Sequence, residues 1–234
     1  MIPESLLAEE EKIPAKFTAS EAQKPPTDFK GMDMMQDGST ITLSHKSYIQ
    51  NIEISEKTPN TTKPELDRAI TKEEHKKLRS TAGKHAWIAT CTSPSYSFMA
   101  SVSLQQYSDH PSIPLSTLLY SIDSLSQAKL NGPSSLSYVP LDEPSIHLRI
   151  YADAAFQNLG TKHSQTGYVI YLADKHDNVN LVHWHSSRAP RRPFSTEQAE
   201  LMALDSAYRA TENILTDRYL LFHTKTATLS GKTL

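Results

Sequence analysis

The chain has 234 residues, 38% of them hydrophobic, and a formal net charge of -2, enough for one or two domains with a buried core. A near-neutral balance excludes a globally basic nucleic-acid binder and leaves room for a local basic patch. Cys91 is the single cysteine, so an intrachain disulfide is excluded and a reducing compartment is expected.

Residues 1–28 are rich in Glu, Lys and Pro, with Pro25-Pro26 near the end, and read as a poorly ordered lead-in. The start lacks a basic segment followed by an apolar one, and no stretch is apolar for long enough to span a bilayer. An intracellular protein, cytoplasmic or nuclear, is therefore expected, neither secreted nor membrane-bound. Asp37-Gly38 marks a hairpin turn before Thr40-Ile41-Thr42-Leu43, and Ser44 to Ile54 reads as a short helix. The spacing of Leu78, Ala82, Ala86 and Ala89 predicts a helix over Lys72 to Thr90, with Lys72, Lys76, Lys77, Arg79 and Lys84 largely on its other sides as a solvated face. His85 and Trp87 read as packing residues. Residues 94–130 read as helical, broken near Pro111 and Pro114, and Gly132-Pro133-Ser134-Ser135 reads as a linker. A domain boundary is set near residue 145.

In His147 to Asp153, apolar Leu148, Ile150 and Ala152 alternate with polar or amphipathic residues, the period of a strand. Asp153 closes it. Gly167 to Ala173 and Asn180 to His185 have strand composition and are separated by the turn-rich Asp174 to Asn178, which predicts an antiparallel meander. His183 and His185 point the same way, as zinc ligands do, but without a third clustered ligand they read as packing around Trp184. Arg188, Arg191 and Arg192 stand with Pro190 and Pro193 in the following loop, either as plain surface or as contacts to nucleic-acid phosphates.

Ser195 followed by Gln198 is a capping-box start, and no Gly or Pro interrupts the run to Glu212. At about 100° per residue, Gln198, Asp205, Arg209 and Glu212 fall within roughly 60° and form a solvated stripe. Glu200 lies opposite, on a face shared with Thr196, Ala203 and Ala207, small residues that let a helix sit close to a sheet. A carboxylate there is costly unless paired, protonated or bound to a cation, so an Arg partner and a metal are the two readings.

The order of a strand ending in Asp, two antiparallel strands and a helix with an inward Glu resembles the ribonuclease H fold. Tyr151-Ala152-Asp153-Ala154-Ala155-Phe156, Gln165-Thr166-Gly167-Tyr168-Val169-Ile170, His183-Trp184-His185-Ser186-Ser187 and the Ser-Thr-x-x-Ala-Glu-x-x-Ala-Leu pattern over 195–204 are similar to the ribonuclease H domain of copia-type LTR retrotransposon polyproteins. Phe29 to Ile52, and Leu78 to Gly83 through Trp87 to Ser93-Pro94-Ser95, resemble the palm end and thumb of that family's reverse transcriptase, although the family's Arg-Pro-Asp is here Ser-Pro-Ser.

The resemblance implies an α/β (α+β) fold. Residues 29–145 would be a mainly helical reverse-transcriptase palm-end, thumb and connection remnant. Residues 146–234 would be a C-terminally truncated ribonuclease H-like domain with a mixed sheet, antiparallel over its first three strands, and a packed helix. The implied activity is Mg²⁺-dependent hydrolysis of RNA in RNA/DNA hybrids, with Asp153 and Glu200 as catalytic metal ligands for two Mg²⁺ ions. The implied partners are an RNA/DNA hybrid or other nucleic acid and the remaining polyprotein segments, with lysines of the 72–90 helix at the phosphates of a primer-template duplex.

Two departures limit that activity. A third Asp is expected at the end of a strand over Arg218 to Thr224, where Lys225 stands instead, and its ammonium would repel a divalent cation. Asp217 would lie roughly 26 Å away along an extended strand. The family's polymerase needs adjacent aspartates, and no Asp-Asp pair occurs in the chain. An inactive copy is therefore expected, with a noncatalytic nucleic-acid-binding remnant or an unselected fragment of a decayed element as alternatives.

Overall fold

The computed structural model describes residues 26–54, 63–109, 113–132, 135–157 and 164–230. Most of the expected lead-in, residues 1–25, and the last four residues lie outside this set, as does Pro111. Among the described residues the chain is mixed α/β, with two antiparallel sheets and six α-helices. No helix among them is long and apolar enough to cross a membrane.

The first sheet has the order β1-β2-β3-β4, from β1 (Thr27–Phe29), β2 (Met32–Asp37), β3 (Thr40–Ser44) and β4 (Ser135–Tyr138). Its hairpin turns at the expected place: Asp37 pairs with Thr40, and Gly38 takes φ +58°, a backbone state that glycine adopts without strain. Helix α1 (Lys46–Asn51) starts beside Asp33 of β2, whose carboxylate accepts from the Ser47 N–H at 2.8 Å. Just past its C-terminus, Lys129 and Lys84 donate to the Ile52 and Glu53 carbonyls. Lysines at a helix C-terminus complement its dipole.

Helix α2 (Lys63–Leu66) precedes α3 (Lys72–Cys91), which Thr71 and Glu74 cap reciprocally. A 3₁₀ turn at Pro94–Tyr96 leads to α4 (Ser97–Asp109), and α5 (Leu115–Asn131) starts just after Pro114, as expected. Leu78, Ala82 and Ala89 of α3 are buried and Lys72, Lys76, Lys77 and Arg79 are exposed, so the basic residues form the solvated face. Leu78 packs with Ile70, Ile113, Leu115, Leu118 and Ile122. His85 is buried with its ring stacked on Tyr96, and Trp87 meets His45 edge-on, packing roles for both.

The stretch after Gly132 differs from a plain linker, because Ser135–Tyr138 returns to pair with β3. Helix still dominates the first unit, but it also carries a four-stranded sheet closed by a strand about 90 residues downstream of β3. Short alternating stretches such as Ser-Leu-Ser-Tyr give little periodic signal, and only the distant partner fixes them.

The second sheet has the order β5-β6-β7, from β5 (His147–Ala155), β6 (Gln165–Ala173) and β7 (Val179–Arg188). This is the expected meander, two to three residues longer at several ends. Asn180 joins the two sheets, since its side-chain amide accepts from the Val139 N–H at 2.9 Å and donates to the Val139 carbonyl at 2.8 Å. Trp184 joins β7 to α3 by donating from Nε1 to the Ala89 carbonyl at 2.6 Å.

Asp174 organises the β6-β7 turn. Its carboxylate accepts from the Asn178 side chain and from the backbone N–H groups of Asp142, His176 and Asn178, and these bonds, the Asn178 amide first, hold its pKa at about 2. A depressed carboxyl pKa contributes stability that is present above its unfolded value and lost as pH falls through the folded one. The urea midpoint is expected to fall between about pH 4 and pH 2, and Asp174→Asn to flatten that fall. Identical pH profiles for the two proteins would refute this.

Helix α6 (Thr196–Ser230) follows β7 and packs over β5 and β6. Ser195 accepts from the Gln198 N–H at 3.2 Å, but the Gln198 side chain accepts from the Phe194 N–H at 2.7 Å, one residue outside a standard capping box. Ala199, Ala203 and Ala207 are buried, while Thr196, on the same side in the first turn, is exposed. The helix does not stop near Glu212. Residues 218–224, expected as a fourth strand, are helical, and so is Lys225. No Gly or Pro occurs between Asn213 and Ser230, so nothing in the backbone ends the helix there. The second sheet is consequently wholly antiparallel among the described residues, not mixed, and β5 pairs with β6 alone.

Candidate functional site

Asp153 sits near the end of β5, opposite Gly167 of β6, which in turn lies opposite Ser186 of β7. Residues paired across antiparallel strands share a face, as do residues two apart on one strand. Asp153 therefore shares a face with Gln165, Trp184 and Ser186. Gln165 donates to the hydroxyls of Ser101 on α4 and Ser186 at 3.0 and 2.9 Å. Together with the Trp184 bond to Ala89, this makes it the face that α3 and α4 cover at β7. Asp153 itself is exposed.

β7 runs in the same direction as β5, so its last residue, Arg188, lies at the Asp153 end of the sheet, opposite Gln165. Residues 189–195 connect it to α6, and Glu200 lies in the second turn of that helix, half-buried. The topology thus gathers Asp153, Glu200 and the loop arginines at one end of the second sheet. Arg191 and Arg192 are exposed, Arg188 is half-buried, and buried Pro193 anchors the loop between them and the helix. Asp205 pairs with Arg209 at 2.9 Å on the exposed side of α6, together with exposed Glu212, as the solvated stripe requires.

Among the described residues no three His, Cys, Asp or Glu side chains gather into a group that could hold a metal ion. Asp153 and Glu200 are two carboxylates where a two-metal centre needs about four. The residues present do not fit a pair of Mg²⁺ ions. The His183 and His185 rings both lie against Tyr168, with centroids 5.7 and 5.9 Å away. Desolvation, then the charge of His183, lowers the His185 pKa.

Comparison with family models, curated proteins and solved structures gave no match to the chain.

A groove of about 540 Å³ lies between α3, α4 and β7, lined in part by Thr90, Ser97, Ser101, His185, Ser187 and Arg188. Its hydroxyls come from segments more than 80 residues apart, and sequence spacing gives no hint of it. Of the three loop arginines, Arg188 lines this groove.

Proposed function

We propose that the chain is a retrotransposon-derived ribonuclease H-like protein of the copia type that binds nucleic acid without cutting it. The observation that carries this reading is the co-location of Arg188, Arg191 and Arg192 with Asp153 at one end of a three-stranded meander under a helix. Arginines on a loop held by a rigid strand and a buried proline can meet phosphates repeatedly spaced along a strand. The acidic pair is the part of a metal centre that survives, and without further oxygen ligands it has no hydrolytic role. A hydroxyl-lined groove beside Arg188 offers a second set of neutral donors for the same backbone.

Fluorescence anisotropy with a labelled RNA/DNA hybrid tests this reading. Binding is expected with and without Mg²⁺, and to weaken as salt rises. Replacing Arg191 and Arg192 together by alanine is expected to reduce the slope of log K against log salt by about 1.4 to 1.8, the release of two phosphate contacts. An unchanged slope, or binding that requires Mg²⁺, would remove the basis for the reading.

A further inference from the structure

Helix α6 also carries an exposed apolar face. Leu201, Leu204, Tyr208 and Leu215 are 64%, 53%, 61% and 48% exposed. They are spaced three, four and seven residues apart and fall within about 60° of one another on a helix of 100° per residue. This is the seam spacing by which one helix receives another, and it lies beside, not on, the Ala199-Ala203-Ala207 face that meets the sheet. Apolar side chains aligned in this way differ from the single exposed apolar residues normal on any surface.

The borders of the seam carry one sign of charge. On the same wheel Glu200 flanks one side, Glu212 and Asp205 flank the other, and Glu197 lies at the N-terminal end. Over residues 196–216 the single basic side chain is Arg209, and it is paired with Asp205. Tyr208 carries a hydrogen bond to Glu212, so its hydroxyl is turned to the acidic border. A second copy of this face would set carboxylates against carboxylates, which is unfavourable for self-pairing. A helix with Lys and Arg along the borders of its own apolar stripe meets both features.

We propose that this face of α6 docks an amphipathic helix of a partner protein, its apolar stripe seated on Leu201, Leu204, Tyr208 and Leu215 and its basic borders paired with Glu197, Glu200, Asp205 and Glu212. The inference does not rest on the nucleic-acid reading: of the site residues only Glu200 takes part, as a border charge, and neither the arginine loop nor Asp153 does.

The full chain is titrated against two labelled model peptides, both with leucines at helical i, i+3, i+4 and i+7 spacing, one bordered by lysines and the other by glutamates. The Leu-Lys peptide is expected to bind with a Kd on the order of 10 μM and the Leu-Glu peptide at least about tenfold more weakly. Leu204→Gln with Tyr208→Gln, both exposed positions given a good helix former, is expected to weaken Leu-Lys binding by about tenfold or more. Glu212→Lys is expected to weaken it about threefold and to reduce its salt dependence. Equal binding of the two peptides, binding of neither, or Leu-Lys binding indifferent to the Gln pair would overturn the proposal. So would sedimentation showing a dimer that the Gln pair dissolves, which would make a second copy the occupant.

Discussion

A hybrid with a labelled RNA strand, incubated with the full chain and Mg²⁺, is expected to remain intact at the rate of the protein-free blank. Two-metal hydrolysis depends on a set of about four oxygen ligands that holds both ions and so stabilises the attacking and the leaving oxygen together. Asp153 and Glu200 are two carboxylates, and among the described residues no three His, Cys, Asp or Glu side chains form a group that could hold a metal ion. The strand expected to deliver the next carboxylate is helix instead. Without bound metal the phosphodiester keeps its uncatalysed barrier, so the shortfall against a complete enzyme is at least on the order of 10⁶-fold. Asp153→Asn is expected to change nothing in this assay. Mg²⁺-dependent cleavage that Asp153→Asn abolishes would show that the missing ligands come from elsewhere.

Leu78→Ala is expected to cost about 2–5 kcal/mol, read as a lower urea midpoint with an unchanged slope. Leu78 is fully buried and packs between α3 and α5 with Ile70, Ile113, Leu115, Leu118 and Ile122. Two backbone bonds fix the surround: the Ile70 N–H donates to the Ile113 carbonyl at 2.9 Å, and the Leu115 N–H to the Arg68 carbonyl at 2.9 Å. A site pinned in this way collapses little after truncation, so most of the vacated volume stays as cavity. The same helix supplies the Ala89 carbonyl that holds Trp184, and loosening it is expected to weaken the coupling of the first unit to β7. A loss below about 1 kcal/mol would mean that the site closes over the gap.

Much of the secondary structure could be read from local pattern. The Asp37-Gly38 turn, the α3 helix with its apolar spacing, the meander from His147 to Arg188 and the cap at Ser195 all follow from forces acting within a few residues. Local pattern also placed Ala203 and Ala207 inward and Asp205, Arg209 and Glu212 outward. Thr196, on the side of the buried alanines, is nevertheless exposed. Local pattern further assigned a strand to residues 218–224, where Tyr219, Leu220, Leu221 and Phe222 have strand composition but the backbone is helical.

By itself the sequence determined which residues could carry chemistry: two separated carboxylates, three loop arginines and a helix without breakers. What only the tertiary structure decided was which of them meet. Strand direction brings the arginine loop to the Asp153 end, β4 pairs with a strand about 90 residues away, and α6 runs on as a helix past the position of the expected third ligand. Each of these depends on hydrogen bonds and packing between distant segments, whose free energy no local window contains.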